Sequence, residues 1–364
     1  MKYRELGHTG LKVSSIGLGC VQLASSRTEV AVPLVRRALE LGVTYFDVAK
    51  GYGDAEIKVG LGVADCRDSV VLSTKTGAKT REQAREDIHN SLVRLGTDYL
   101  DNVHLHALRS GEDMDKRLGP DGALEALIEA KQEGLIHHIG CSVHRSAYAI
   151  EAIQRFPFEV ILVPMNIVER EPLDALIPLC QEKGIGVTIM KPVATGLLPA
   201  SLALKWLLNQ PIATAVPGGT TLEEITENSM VGHRELTLTP EEQERIQEIR
   251  ASLEHVRCRV CGACMPCLQE IVIPMVLGTD VMFDHHRTMG PEGFRAFPWS
   301  AERIEREMKH RPHSIETIES CTRCGACEPR CPYGLPIMDM LTAALPEMRD
   351  MVAAYEDIAS APVV

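Results

Sequence analysis

VVLSTKTGAKTREQAREDIHNSLVRLGTDYLDNVHLH, residues 70–106, is one complete strand, helix and strand unit. Val70 to Thr76 is short, apolar and rich in β-branched residues, which predicts a buried strand. Arg81 to Leu95 places Ala84, Ile88, Leu92 and Leu95 at helical spacing, so one helical face is apolar. Leu100 to His106 then returns to strand character. Two buried strands joined by a helix form a parallel crossover.

The same rhythm continues on both sides of this unit. Further strands are expected at Ser15 to Cys20, Thr44 to Ala49, Ile136 to Val143, Glu159 to Met165, Gly186 to Pro192 and Thr214 to Pro217. Eight such units in roughly 220 residues fit a TIM (β/α)8 barrel. No G-x-G-x-x-G turn follows the first strand, which argues against an open doubly wound sheet. Tyr3 to Val13, with Gly7 and Gly10 as turn residues, reads as a hairpin closing the barrel's N-terminal end. A further helix is expected from Thr239, where Thr-Pro-Glu-Glu supplies an N-cap, a first-turn proline and acidic residues. The expected division is a barrel over residues 1–250 and a small, mainly helical ferredoxin-like domain over 251–364.

Eight of the twelve cysteines lie in that second region. Cys321, Cys324, Cys327 and Cys331 precede Pro332 in the spacing C-x2-C-x2-C-x3-C-P, in which three thiolates hold one cluster and the fourth reaches a neighbouring one. The pattern requires a partner run, and Cys258, Cys261, Cys264 and Cys267 provide it, with one residue fewer before the last cysteine and Leu268 in place of proline. Crossed ligation puts Cys258, Cys261, Cys264 and Cys331 on one 4Fe-4S cluster and Cys321, Cys324, Cys327 and Cys267 on a second. The alternative is a pair of four-thiolate zinc sites, but these use two separated cysteine pairs and need no third cysteine at the same step.

Composition limits the function. The 38 basic and 50 acidic residues give a formal charge of −12, which excludes a broad nucleic-acid surface. No run approaches the ~18 apolar residues of a membrane span, and MKYRELGHTG carries no apolar segment after its basic residues. A cytoplasmic protein without membrane or nucleic-acid partners is expected, its cysteines serving clusters or staying reduced.

Barrel chemistry sits at the C-terminal strand ends. Four polar residues fall there: Asp47 at strand two, Tyr52 five residues on in DVAKGYGDAE, Lys75 at strand three in LSTKTG, and His106 at strand four in DNVHLHA. With these motifs the sequence resembles the aldo/keto reductase superfamily over roughly residues 1 to 235. It is similar in particular to the subgroup with a C-terminal 4Fe-4S ferredoxin-like extension. The resemblance implies an NAD(P)H-dependent oxidoreductase that interconverts a small carbonyl and an alcohol. Tyr52 is then the general acid and Lys75 the cation that stabilises its anion. Asp47 holds the ammonium, and His106 orients and polarises the substrate oxygen.

The resemblance also implies an extended nicotinamide cofactor, with Ser142 and Asn166 at its carboxamide and Met190 covering its ring. Val143 and Leu162 replace the family's usual Asn and Gln there. At the adenosine end, VPGGTTLEEITEN brings Gly218, Gly219, Glu224 and Asn228 to the cofactor. Gly218 and Glu224 stand where the family carries its phosphate-binding Lys and Arg, so NADH is expected over NADPH. A bound flavin is the alternative cofactor, which would wire the clusters to a redox partner protein. The loop from Ala107 to Asp121, with Arg109, Lys116 and Arg117, is expected to be a solvated charged loop, and His104 a satisfied interior histidine. Cys20, Cys66, Cys141 and Cys180 are expected to be small buried residues. A metal contact at His285 or His286 is disfavoured, because eight thiolates already fill two clusters.

Overall fold

A computed structural model describes residues 1–253, 255–278, 286, 290–292, 295 and 298–360, so His285 lies outside the described residues. The chain divides into two compact units, Met1–Ile246 and Gln247–Val364.

In the first unit, eight parallel strands run in sequence order around one sheet: Leu18–Gly19, Tyr45–Asp47, Val71–Thr76, Leu100–Leu105, Ile136–Ser142, Val160–Pro164, Gly186–Met190 and Thr214–Ala215. A parallel bridge between Ile16 and Ala215 joins the first strand to the eighth and closes the barrel. Each strand is shorter by one to four residues than its pattern suggested, because the apolar pattern records burial and continues past the last ladder hydrogen bond. Tyr3–Glu5 and Lys12–Ser14 pair antiparallel as the expected hairpin.

The crossover helix Arg81–Leu95 shows how the sequence builds each unit. Thr80 caps it, its hydroxyl accepting from the Gln83 N–H, and Gly96 ends it at φ 63°, the left-handed region that favours glycine. Ala84, Ile88, Leu92 and Leu95 are all buried. Thr239 likewise caps the helix Pro240–Leu253, accepting from the Glu242 N–H at 3.2 Å while Glu242 accepts from the Thr239 N–H at 2.9 Å.

The barrel interior mixes apolar and polar side chains. Tyr45, Val160, Leu162 and Val216 pack inside it, and Asn102 donates to the Ser73 hydroxyl at 2.9 Å and meets His104 Nε2 at 2.8 Å. His104 is fully buried, as expected, although its Nδ1 has no hydrogen-bond partner. Its ring stands against Gly140, where an added Cβ would come within 2.4 Å of Nδ1.

The second unit is helical, with Ile273–Leu277, Pro298–Glu319, Ile337–Ala354 and Glu356–Ala359. The helix Pro298–Glu319 passes through Pro312. Ile271, Ile304, Met308, Leu341, Met348 and Tyr355 form part of its core, into which Cys264 is also buried. His286 Nδ1 lies 3.1 Å from the Tyr355 hydroxyl. Among the described residues, no helix is long and apolar enough to cross a membrane.

Candidate active site

Asp47 is the last residue of the second strand, and Lys75 lies in the third, one residue before its end. The register pairs Asp47 with Ser73 and Lys75 with His104, so these two charged residues converge on neighbouring strands inside the barrel. Lys75 Nζ donates to Asp47 Oδ2 at 2.8 Å and to the Val48 carbonyl at 2.7 Å. The Lys75 side chain is 1% exposed and that of Asp47 6%. Asp47 Oδ1 is buried without a hydrogen-bond partner.

Tyr52 sits in the turn that follows, and Lys75 Nζ stands 4.7 Å from the centroid of its ring. The His106 ring meets that of Tyr52 edge to face, with centroids 5.7 Å apart at 79°. The four side chains read as a group from their strand ends are therefore one cluster in space. Burial pulls the Lys75 ammonium down, but Asp47 and Tyr52 outweigh it and leave its pKa above the ordinary lysine value. Burial raises the Tyr52 phenol; Lys75 opposes the shift and Asp47 adds to it, and the net direction is upward. Near neutral pH Tyr52 is a protonated phenol. Burial, aided by the positive charge of Lys75, lowers His106 to about 3, so its imidazole is neutral.

Three features of this region had no clear sequence signal. Arg117 is 2% exposed, not solvated, and lies on a short helix, Glu112–Leu118, within the segment read as a loop. Its guanidinium donates to the carbonyls of His106 and Thr76. Only the spacing of Met114 and Arg117, both buried on that helix, hints at its inward face. Glu56 is fully buried, accepting from the Thr74 hydroxyl at 2.7 Å and pairing with Arg94 at 3.0 Å. Asp87 joins Thr76 and Lys50 beside the third strand's end, at 2.6 and 2.8 Å. Of the four remaining cysteines, Cys20, Cys141 and Cys180 are buried as expected, whereas Cys66 is partly exposed on the kinked turn Ala64–Ser69.

The residues expected to contact a nicotinamide cofactor are unevenly placed. The Ser142 hydroxyl accepts from the Ala107 N–H at 2.8 Å and retains its own O–H to donate. Asn166 is fully buried with its side chain already engaged, Oδ1 accepting from the N–H groups of Val168 and Glu169 at 2.9 Å and Nδ2 reaching the Lys191 carbonyl at 3.3 Å. Met190 ends the seventh strand, half-buried against the barrel core. Asn228 donates to the Gly218 carbonyl at 3.1 Å. A Cβ on Gly218 would lie 2.0 Å from Gln22 Oε1, and one on Gly219 would lie 2.8 Å from Ile225 Cδ1. Glu224 forms a capping box with Thr221, its Oε2 accepting from the Thr220 N–H at 2.7 Å. That structural task accounts for a glutamate here independently of any cofactor.

In the second unit the eight cysteines line two cavities. One is bounded by Cys258, Cys261, Cys264 and Cys331, the other by Cys267, Cys321, Cys324 and Cys327. Each cavity thus takes three cysteines from one run and one from the other. Arg330 joins the runs, donating to the carbonyls of Pro266 at 2.9 Å and Ala326 at 2.8 Å, and Arg259 lies 3.9 Å over the Tyr333 ring. Burial pushes the Cys264 thiol up to about 11, with its neighbours Cys258, Cys261 and Cys331 adding to the shift. Burial likewise raises Cys327, to which Cys267 and Cys321 add. Among the described residues, no three metal-ligating side chains converge on a point as a single ion requires. Thiols spread around a largely apolar hollow suit a multi-iron cluster better than zinc.

Known proteins agree with both halves. A model of the aldo/keto reductase family matches residues 15–201, and a model of a 4Fe-4S dicluster domain matches residues 254–335. L-galactose dehydrogenase of Arabidopsis thaliana is 30% identical over 309 residues, covering 71% of this chain and 96% of that protein. An uncharacterized oxidoreductase of Bacillus subtilis is 32% identical over 212 residues, covering 54% of this chain and 67% of that protein. The holo-form structure of an aldo-keto reductase from Bacillus halodurans superposes with a TM-score of 0.60 at 29% identity, covering 68% of this chain and 96% of that one.

Proposed function

Because the chain belongs to the aldo/keto reductase family and ends in a 4Fe-4S dicluster domain, it is an oxidoreductase, and we propose that it interconverts a small carbonyl and an alcohol by hydride transfer. The observation that carries this reading is the buried Lys75 ammonium, held between Asp47 and the Val48 carbonyl and set 4.7 Å from the Tyr52 ring. A bound nicotinamide supplies the hydride. Everything else is asked of the side chains.

Reduction leaves negative charge on the substrate oxygen, which must be protonated as it forms. Tyr52, a neutral phenol beside a fixed cation, donates that proton, and Lys75 stabilises the phenolate left behind. Asp47 keeps Lys75 charged and in place. His106, neutral beside Tyr52, serves as an uncharged donor that orients the substrate oxygen. For the cofactor, the Ser142 O–H is the available carboxamide donor, with Met190 beside the ring, while the engaged Asn166 shapes the pocket wall. Gly218 and Glu224 offer no cation for a 2′-phosphate, which supports NADH over NADPH.

The division of labour follows the two halves, residues 1–250 for hydride chemistry and 251–364 for two 4Fe-4S clusters. Crossed ligation is supported by the three-plus-one lining of each cavity. Anaerobic turnover tests the whole reading: NADH and a carbonyl probe are expected to react while the cluster absorbance stays constant. Rapid bleaching by NADH without carbonyl reduction would instead indicate electron transfer through a bound flavin to a redox partner.

A further inference from the structure

We propose that Arg117 is a positioning residue for His106: its guanidinium ties the His106 carbonyl to the Thr76 carbonyl and so fixes the imidazole beside Tyr52. The inference rests on the reading of His106 as the group that orients the substrate oxygen.

The fourth strand ends at Leu105, so His106 is the first residue beyond its ladder. A side chain there owes its direction to whatever holds the backbone on either side. On the near side, the His106 N–H donates to the Thr76 carbonyl at 2.9 Å. On the far side the chain turns sharply through Ala107, a non-glycine residue at φ 50°, a conformation that persists only when its surroundings impose it. Ser142 imposes part of it, its hydroxyl accepting from the Ala107 N–H and its carbonyl from the Leu108 N–H, both at 2.8 Å.

The His106 carbonyl lies between these two fixed points, and Arg117 holds it. Nη1 donates to that oxygen at 2.8 Å, and Nη2 donates to the Thr76 carbonyl at 3.0 Å. Thr76 thereby receives both His106 and Arg117, locking the ends of strands three and four to one planar group. A guanidinium presents two parallel donors in a fixed fork, whereas an ammonium is a point charge on a flexible stem. Asp113 at 3.7 Å, one turn earlier on the same helix, steadies the fork.

Arg117 also bears on the charge of His106. The charged and titratable groups around the imidazole are Lys75 on strand three, His104 on strand four, Tyr52 in the turn after strand two, His144 beyond strand five and Arg117 on its helix. Burial disfavours a positive charge on the ring most strongly, and the charges of Lys75 and Arg117 add to that effect. Arg117 is thus placed to hold His106 oriented, while burial and Lys75 do most to keep it uncharged.

The experiment compares Arg117→Met and Arg117→Lys in the full-length holoprotein, alone and combined with His106→Gln. Turnover of 4-nitrobenzaldehyde with NADH is the activity readout, and circular dichroism melting verifies folding. Arg117→Met is expected to lower kcat on the order of 10- to 100-fold while the dissociation constant of NADH stays unchanged, the size of effect that misplacing a reacting group produces. Arg117→Lys should recover part of the loss, and in the His106→Gln background Arg117→Met should cost almost nothing more. An undiminished loss in that background would overturn the proposal, because Arg117 would then act independently of His106.

A second readout does not depend on turnover. In protein labelled with 13C-histidine, the His106 resonance, identified by its loss in His106→Gln, should move in Arg117→Met and move back toward its native position in Arg117→Lys. Superimposable spectra would refute the positioning role. If the native protein fails to reduce the probe, the functional reading is at fault, and the histidine spectrum still decides the role of Arg117.

Discussion

Asp47→Asn should destabilise the barrel more than any other conservative exchange in the cluster. The substitution keeps the shape and an acceptor oxygen but removes the charge that compensates Lys75, whose side chain is only 1% exposed. Removing one partner of a buried pair leaves an uncompensated charge and costs about 3–5 kcal/mol. For a domain of this size each kcal/mol lowers the melting temperature by about 2–4 °C, so a fall of roughly 6–20 °C is expected. The reverse change, Lys75→Met, leaves a carboxyl that can take a proton. Burial already pushes Asp47 above its ordinary value even with Lys75 pulling it down. Without the lysine its folded pKa rises further, the folded state binds the extra proton, and stability is lost as pH rises through that folded pKa. Lys75→Met should therefore cost less at pH 5 than at pH 8. The double variant Asp47→Asn/Lys75→Met contains no buried charge at either position and should regain at least about 2 kcal/mol relative to the sum of the singles. Urea unfolding followed by Trp206 fluorescence, in a Trp299→Phe background, measures all four proteins. Additivity of the two single costs within about 0.5 kcal/mol would refute the argument that the pair is a coupled, desolvated unit.

Four further outcomes follow from the same geometry. Tyr52→Phe should lower turnover ~100-fold or more with NADH binding retained, and full activity would remove Tyr52 as the general acid. Crossed ligation is tested by iron counts: Cys258→Ala/Cys331→Ala should lose only one cluster, falling from about eight irons to about four, whereas Cys258→Ala/Cys267→Ala should lose both. The opposite pattern would show that each run binds its own cluster. Titration calorimetry should give a lower dissociation constant for NADH than for NADPH, and tighter NADPH binding would show that cations at positions other than 218 and 224 meet the phosphate. His104 is fully buried and its pKa is held far below 6.5, chiefly by burial, so the unfolded chain binds a proton there that the fold excludes. Stability should then fall as pH drops below 6.5, by up to about 1.4 kcal/mol per pH unit from this residue, and an unchanged slope in His104→Gln would contradict that assignment.

How much of the fold is legible in the sequence depends on how local each signal is. The unit at residues 70–106 was legible because its helix carries its own cap, stop and apolar face, with Thr80, Gly96 and Ala84 to Leu95 all within a single segment. Asp47, Tyr52, Lys75 and His106 were legible because barrel topology turns four separate strand ends into neighbours. The cysteine runs were legible because cluster ligation demands fixed spacing. Arg117 was not. Its segment has the composition of a solvated loop, and its burial depends on two carbonyls supplied by other strands, which no local pattern records.

Glu224 shows the converse difficulty, in which one residue type answers two demands. A glutamate three residues after Thr221 is what a capping box requires, and a glutamate in place of a phosphate-binding cation is also what an NADH site would carry. The capping bonds account for its Oε2 but leave the charge in place, and it is the charge that would repel a 2′-phosphate. The two roles separate under substitution. Glu224→Gln retains an acceptor for the Thr220 and Thr221 N–H groups, so helix Leu222–Val231 should keep its start, while the repulsion disappears. NADPH affinity should then rise with the melting temperature nearly unchanged. If the melting temperature falls and the cofactor preference stays fixed, the cap alone explains the residue, and the preference must be sought in the missing side chain at Gly218.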